Sequence, residues 1–155
     1  MAKKAKSVPK GYSSITTAIA VKDAVKALEF YKKIFGAKVL AKLVAPGNII
    51  VYSQIQIGNT CLMLSEENPK FNHSPQSIGC STVVLHHYVD DVDKFMLKAK
   101  KAGSKILVPP SDQFYGDRAG RIEDPFGHIW SIATHIEDVS PQEMQKRFKK
   151  LLKQS

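Results

Sequence analysis

The stretch that decides the fold is AIAVKDAVKALEFYKKIFGAKVL, residues 18–40, because its pattern returns in LHHYVDDVDKFMLKAKKAGSKIL, residues 85–107. Each copy reads as a short strand, an acidic turn, an amphipathic helix, a glycine and a second strand. A repeat of this length marks one supersecondary unit used twice, and it outweighs local propensity in deciding the architecture. The sequence therefore predicts two tandem modules.

The ends of the two repeated helices carry recognisable signals. Asp23 and Asp91 are predicted N-caps, since a short carboxylate accepts hydrogen bonds from first-turn amides. Gly36 and Gly103 are predicted to end the helices. A strand follows each helix, and then a loop that contains proline.

A hairpin completes each copy. Gly58-Asn59 is the predicted turn of the first hairpin, within IIVYSQIQIGNTCLMLSEE. Asp124-Pro125-Phe126-Gly127 is the predicted turn of the second, within GRIEDPFGHIWSIATH. Each half thus reads βαβββ, and the fold class is α+β with two tandem βαβββ modules and a C-terminal helix.

The modules span about residues 12–67 and 81–137 of a domain covering 11–139. A sheet with one helix cannot close a core alone, so the halves are expected to pack together. The intervening 67–81, ENPKFNHSPQSIGCS, is predicted to be a loop, either a lid or a plain linker.

The C-terminal 140–155 is predicted to be an amphipathic helix, starting at a capping box of Ser140 and Glu143 with Pro141 in the first turn. One side carries an apolar stripe and the other carries lysines. Such a stripe favours docking on the same protein or on a sister subunit, with a membrane surface as the alternative. The stripe consists of Met144, Phe148, Leu151 and Leu152.

The net charge of +9 is concentrated at the two ends of the chain. Residues 1–10 hold four lysines and no acidic residue, and 140–155 has a net charge of +4. The remaining 11–139 has a net charge of only +1, whereas a nucleic-acid-binding domain concentrates its charge on a folded face. We therefore expect no nucleic-acid partner, and a basic flexible tail at 1–10.

The sequence predicts a cytoplasmic protein without a membrane partner. No segment approaches the roughly 18 apolar residues of a membrane-spanning helix, and MAKKAKSVPK lacks the apolar region of a secretory signal. Cys61 and Cys80 lack metal-binding spacing and are predicted to be reduced thiols.

The two βαβββ units, together with GDRAGRIEDPFGHIWSIATH (116–135), resemble the vicinal oxygen chelate superfamily of glyoxalase I, bleomycin-resistance proteins and extradiol dioxygenases. KALEFYKKIFGA, IGNTCLMLSEE, YVDDVD and WSIATHIEDVSPQEM are similar to its PhnB-like branch. The resemblance covers about residues 12–137 and implies two curved sheets, each a half-barrel around a cavity, in a homodimer.

In the metal-dependent members of this superfamily, four strand positions supply the ligands of one divalent ion. The resemblance places these positions at Thr16, Met63, Val84 and Ser131. Valine has no donor atom, methionine prefers soft metals and neutral hydroxyls bind weakly. No metal and no other cofactor is therefore expected.

The alternation of side chains along strands predicts which residues face the cavity. Gln54 and Tyr52 share one face of their strand, while Leu62, Leu64, Leu85, Trp130 and Ile132 are expected beneath the helices. The residues predicted to face inward are Thr16, Ala18, Ala20, Cys61, Met63, Ser65, Val84, His86, Tyr88, Ile129, Ser131 and Ala133.

His86 and Tyr88 are the candidate catalytic residues, as a general base and as an acid or hydrogen-bond donor. The alternative is that two large side chains simply fill the barrel, and His87 is expected to point toward the helix. Tyr115 and Arg118 belong to a loop predicted at the pocket mouth, where Arg118 would hold a carboxylate or phosphate. An Asp117–Arg118 structural pair is the alternative.

The predicted ligand-binding set is Thr16, Gln54, Met63, His86, Tyr88, Tyr115, Arg118 and Ser131. Two functions remain open at this stage. The first is a metal-free homodimer that binds a small apolar or aromatic organic molecule, and the second is a lyase, isomerase or dioxygenase-type enzyme. The sequence has no P-loop or GxGxxG run, and His73, His128 and His135 are expected at the surface or in turns.

Overall fold

A computed structural model describes residues 5–153, so residues 1–4 of the predicted tail lie outside the described part. The chain divides into two units at Cys80 and Ser81. Each unit contains one four-stranded sheet with the βαβββ order that the repeat predicts. No helix among the described residues is long and apolar enough to cross a membrane.

The first unit consists of four strands and two helices. Its sheet has the order β1-β4-β3-β2, with β1 parallel to β4 and the other pairs antiparallel. The elements are β1 (Ala18–Val21), α1 (Ala24–Phe35), β2 (Lys38–Ala45), β3 (Ile49–Ile57), β4 (Thr60–Glu66) and the short α2 (Pro75–Ile78).

The second unit repeats this plan. Its sheet has the order β5-β8-β7-β6, again with a parallel first pair. The elements are β5 (Val84–Tyr88), α3 (Val92–Lys101), β6 (Lys105–Asp112), β7 (Asp117–Glu123), β8 (Ile129–His135) and α4 (Pro141–Leu152).

The predicted N-caps of both helices are confirmed. The side chains of Asp23 and Asp91 accept hydrogen bonds from the amides of Lys26 and Lys94, each at 3.0 Å. Gly36 caps the end of α1, while α3 ends one residue earlier than predicted, with Ala102 as its cap.

Apolar side chains from each sheet pack under its helix. In the first unit Ile55 and Leu64 are buried against α1, whose Tyr31 is fully buried. In the second unit Ile122 and Ile132 are buried on the α3 side of the sheet. The predicted burial of Leu62, Leu64, Trp130 and Ile132 is confirmed, whereas Leu85 is only half-buried.

Strand β6 is longer than the sequence predicts. We expected a loop after Leu107, yet β6 continues through Pro109 and Pro110 to Asp112. The strand lies at the edge of its sheet, where a residue without an amide hydrogen is tolerated. The pairing with β7 shifts register between Val108 and Ser111, so the two prolines lie at an irregularity.

Segment 67–81, predicted to be a loop, contains the short helix α2, and up to Cys80 it belongs to the first unit. The Glu67 carboxylate accepts hydrogen bonds from the Ser74 amide at 2.8 Å and the Ser77 hydroxyl at 2.7 Å. These bonds lower the pKa of Glu67 to about 2. Because Ser74 and Pro75 are buried, the segment is anchored to its own unit.

Helix α4 starts at the predicted capping box, with Ser140 Oγ accepting from the Glu143 amide at 3.2 Å. Its Phe148 ring lies 5.5 Å from the Phe114 ring, measured between centroids. Arg147 forms hydrogen bonds with both carboxylate oxygens of Glu137, at 2.7 Å each. The helix therefore contacts its own unit through Phe148 and Arg147, whereas Leu151 and Leu152 of the predicted apolar stripe are about half exposed or more.

Candidate functional site

The register of β5, β8 and β7 decides which side chains share the face of the second sheet opposite α3. His86 is paired with Ser131 and Ser131 with Arg121, so these three residues form one row across the sheet. Tyr88, Ala133 and Ala119 form the next row, and His135 and Asp117 form the last. We call this surface the helix-free face of the second sheet.

Tyr88 is the first member of a hydrogen-bonded chain on this face. Its hydroxyl donates to Oδ2 of Asp117 at 3.0 Å, and the other oxygen of Asp117 contacts Nδ1 of His135 at 2.8 Å. The carboxyl of Asp117 is almost completely buried. The hydrogen bond to Asp117 raises the pKa of Tyr88, because the carboxylate accepts the phenol's proton in a hydrogen bond and so favours the protonated form.

A cavity of about 620 Å³ opens beside this chain. Two predicted ligand-binding residues, Tyr88 and Tyr115, are in its wall. The wall also contains Asp117, His135, Asp138, Val139, Ser140 and Met144, so the start of α4 forms part of the rim. The cavity thus combines aromatic and apolar surfaces with a few fixed polar groups.

His135 lies between two carboxylates, a placement that the sequence pattern did not indicate. Its Nε2 is 2.9 Å from Oδ1 of Asp138, while Nδ1 faces Asp117. Both hydrogen bonds favour the imidazolium and so raise the pKa of His135, the bond to Asp117 more than the bond to Asp138.

We predict that the His135 bridge weakens as the pH rises. A raised folded pKa means that the bridge contributes fully below the ordinary histidine pKa of about 6.5, and is lost as pH passes the folded value. An NMR titration should place the His135 midpoint above that ordinary value, and Asp138→Asn should lower it. A wild-type midpoint at or below the ordinary value would contradict the bridge.

Arg118 lies on the opposite side of the second sheet from this cavity. Asp117 and Arg118 belong to β7 and not to the predicted loop, so alternation sends their side chains to opposite faces. The guanidinium forms hydrogen bonds with Asp93 of α3 at 2.7 and 2.9 Å, and with Asp112 at 2.9 Å. The predicted Asp117–Arg118 pair is therefore replaced by two other carboxylates.

His86 and His87 point in opposite directions, as the alternation predicts. The His86 ring lies edge-on to Tyr88, with 4.6 Å between centroids. The His87 ring contacts Phe95 of α3 at 5.6 Å, and burial lowers the pKa of His87. His86 therefore belongs to the helix-free face, and His87 to the layer beneath α3.

The first sheet presents a comparable face, and Gln54 and Met63 are paired across it. The Gln54 amide nitrogen is 3.7 Å from Sγ of Cys61. Thr16 precedes β1, and its hydroxyl donates to the carbonyl of Ser13 at 3.2 Å. These predicted residues belong to the first unit, whereas the Tyr88 chain belongs to the second.

Tyr12, which follows the predicted flexible tail at 1–10, forms a contact that the sequence did not indicate. The hydroxyl of Tyr12 is 2.9 Å from that of Tyr52 on β3. This contact raises the pKa of Tyr12 to about 12. The residues just after the predicted tail are thus in contact with the first sheet, on the strand that carries Gln54.

The residues present do not suit the superfamily's divalent metal. Thr16 lies two residues before Ala18, which is paired with Met63, and Val84 lies two residues before His86, which is paired with Ser131. The four positions that the resemblance gives for the metal ligands are therefore equivalent in the two units. Their side chains are two hydroxyls, a thioether and an alkyl group, which bind hard divalent ions weakly or not at all. Within residues 5–153, no three His, Cys, Asp or Glu side chains are grouped to hold a metal ion.

Two βαβββ units, each with a parallel first strand pair and a helix on one face, define a class of proteins built from paired modules. The model of the Glyoxalase/Bleomycin resistance protein/Dioxygenase superfamily matches residues 14–132. The chain belongs to this superfamily, which confirms the resemblance seen in its motifs.

Relatives and solved structures agree with this assignment. An uncharacterised protein of Mycobacterium bovis is 33% identical over 131 residues, covering 82% of this chain and 86% of that protein. TioX from Micromonospora sp. ML1 has a TM-score of 0.62 at 23% identity, covering 80% of this chain and 99% of TioX.

A PhnB protein is also among the similar structures. The Bacillus cereus protein, described as a putative 3-demethylubiquinone-9 3-methyltransferase, has a TM-score of 0.62 at 17% identity. The match covers 79% of this chain and 99% of that one. At this identity the likeness concerns the fold.

Proposed function

We propose that this protein binds a small aromatic or apolar organic molecule on the helix-free face of the second sheet, without a bound metal. The cavity beside Tyr88 and Tyr115 carries the proposal. Its volume of about 620 Å³ lies within the range of roughly 300–1,000 Å³ typical of small-molecule sites. The tyrosine rings and Met144 supply apolar contact, and Asp117 and His135 supply fixed polar groups.

The state of Tyr88 favours binding over proton transfer. A general acid works best when its pKa is near the working pH, whereas the bond to Asp117 moves the pKa of Tyr88 away from neutrality. The same bond fixes the orientation of the phenol ring. Tyr88 is thus suited to form a rigid wall of a ligand site.

We further propose that the protein acts as a homodimer. The β2–β3 hairpin of the first unit exposes a group of large apolar side chains, each about half exposed or more. A surface of this kind in a folded protein marks an interaction site, and a second copy of the chain would cover it. The side chains are Leu40, Leu43, Val44, Ile49 and Val51.

The binding proposal predicts that N-phenyl-1-naphthylamine, an uncharged aromatic fluorophore, binds the EDTA-treated protein and gains fluorescence. Tyr115→Ala should weaken its Kd about tenfold, since burial of a large side chain is worth roughly 1.5–3 kcal/mol. Leu97→Ala removes an exposed apolar side chain from α3, on the opposite face of the same sheet, and should leave the Kd within twofold.

Two results would contradict the proposal. One is an unchanged Kd in Tyr115→Ala, because the probe would then bind elsewhere. The other is a divalent ion that stays bound at one per chain through EDTA treatment. Light scattering of the same samples should give the mass of a dimer, and a monomer at micromolar concentration would contradict the assembly.

A further inference from the structure

The three arginines of the chain have different electrostatic surroundings. Arg118 forms ion pairs with Asp93 at 2.7 Å and Asp112 at 2.9 Å. Arg147 forms ion pairs with Glu137 at 2.7 Å and Glu143 at 3.1 Å. Arg121 forms no ion pair with any residue that the structure describes, and it is exposed.

The position of Arg121 places this unpaired charge on the ligand-binding face. It is paired with Ser131 on β8, and Ser131 is paired with His86 on β5. Since neighbouring strands lie roughly 4.8 Å apart, the row presents a guanidinium, a hydroxyl and an imidazole across about 10 Å. His86 contacts Tyr88, so the row adjoins the wall of the cavity.

The nearest carboxylate along β7 on this face already has a partner. Glu123, two residues from Arg121, accepts a hydrogen bond from Nζ of Lys105 at 2.8 Å. Lys105 belongs to the edge strand β6, and its ammonium group compensates the negative charge of Glu123. The guanidinium of Arg121 is thereby left available for an anion that is not part of the described chain.

We infer that Arg121 is the anion-binding residue of the ligand site, and that the ligand is a small aromatic or apolar acid. The planar guanidinium fork matches the two oxygens of a carboxylate, or those of a related oxyanion. Ser131 and His86 offer further hydrogen-bonding groups in the same row. This inference rests on the proposed function and narrows its ligand class.

Two probes with the same ring system separate the charge from the rings. One is 8-anilino-1-naphthalenesulfonate, which carries an anionic group, and the other is uncharged N-phenyl-1-naphthylamine. Arg121→Gln should weaken the Kd of the sulfonate about tenfold, as expected for loss of a charge-assisted contact, and leave that of the uncharged probe within twofold. Arg121→Lys should recover part of the loss.

Arg118→Gln is the matched control, because it removes the same charge from the opposite face of the same strand. It should leave the sulfonate Kd within twofold. If its melting temperature falls, Lys101→Gln at the exposed end of α3 replaces it as the control. Equal weakening by the Arg121 variant and the control would overturn the inference, since net charge alone would then explain the effect.

The outcomes separate this inference from the function on which it rests. If Arg121→Gln leaves sulfonate binding unchanged while Tyr115→Ala weakens the uncharged probe, the Arg121 assignment fails and the binding site stands. If Tyr115→Ala changes neither probe, the site itself is wrong and the assignment falls with it.

Discussion

Replacing Gly116 with alanine is expected to lower the free energy of unfolding by about 3 kcal/mol and to weaken binding of N-phenyl-1-naphthylamine. The backbone at Gly116 has φ of +99°, and a Cβ there would collide with the carbonyl oxygen of Glu137. It would also lie 2.9 Å from Cγ2 of Val139. Urea unfolding measures the first effect and probe titration the second.

The loss of binding is expected because Gly116 holds the segment that leads into the cavity rim. Its carbonyl accepts hydrogen bonds from the amides of Ile136 and Glu137, both at 3.0 Å. The following residues, Asp138 and Val139, are part of the cavity rim. A side chain at Gly116 would push this rim and the start of α4 away from the sheet.

Gly58→Ala is the matched control for Gly116→Ala. Gly58 also has a positive φ, of +57°, but apart from its two chain neighbours no described residue would have an atom within 4 Å of a Cβ there. It should cost only about 1 kcal/mol, the price of the strained backbone, and leave probe binding unchanged. If both variants lost the same free energy of unfolding, the steric contact between a side chain at position 116 and the carbonyl of Glu137 would add nothing to the destabilisation, and this prediction would be wrong.

Asp124→Ala is expected to lower the free energy of unfolding by about 3 kcal/mol or more. The buried carboxylate accepts hydrogen bonds from the amides of Phe126 at 2.9 Å and His128 at 3.0 Å. It also accepts from Nε1 of Trp130 at 2.9 Å. Removing it leaves three donors without this acceptor, in the turn that joins β7 to β8.

The fluorescence of Trp130, the only tryptophan, reports this unfolding directly. Asp90→Ala is the control, because it removes an exposed carboxylate of the same unit and should change stability by less than about 0.5 kcal/mol. A loss in Asp124→Ala no larger than in this control would contradict the structural role of the turn.

The sequence predicts a turn at Asp124 because a proline and a glycine follow it within three residues. It did not predict that His128, at the end of that turn, is buried. The burial depends on how the turn packs, and a turn motif carries no information about its neighbours.

The most consequential difference between prediction and structure concerns the arginines. We expected Arg118 in a loop at the pocket, because glycine precedes it by two residues. In the structure β7 starts at Asp117, and a difference of a few residues in where the strand begins decides which side chains face the ligand. The register of the β7–β8 hairpin pairs Arg121 with Ser131, a residue already predicted to face inward, and that register would have indicated Arg121.

The Asp117–His135–Asp138 bridge was also missed, for a different reason. Asp117 and His135 are 18 residues apart in sequence, and only the pairing of β7 with β8 brings them together. The signal available was the end-to-end register of the hairpin, which would have placed the two residues opposite each other.

The sequence by itself determined the two βαβββ modules, the helix caps and the faces of the central strands. These features follow from local hydrogen bonding and from the period of apolar residues, both of which are written in neighbouring positions. Only the tertiary structure decided that Arg118 pairs with Asp93 and Asp112, that Arg121 has no such partner within residues 5–153, and that Tyr88 is fixed by Asp117. Partner choice among charged side chains depends on register and on distances between residues far apart in the chain, and no local pattern contains those distances.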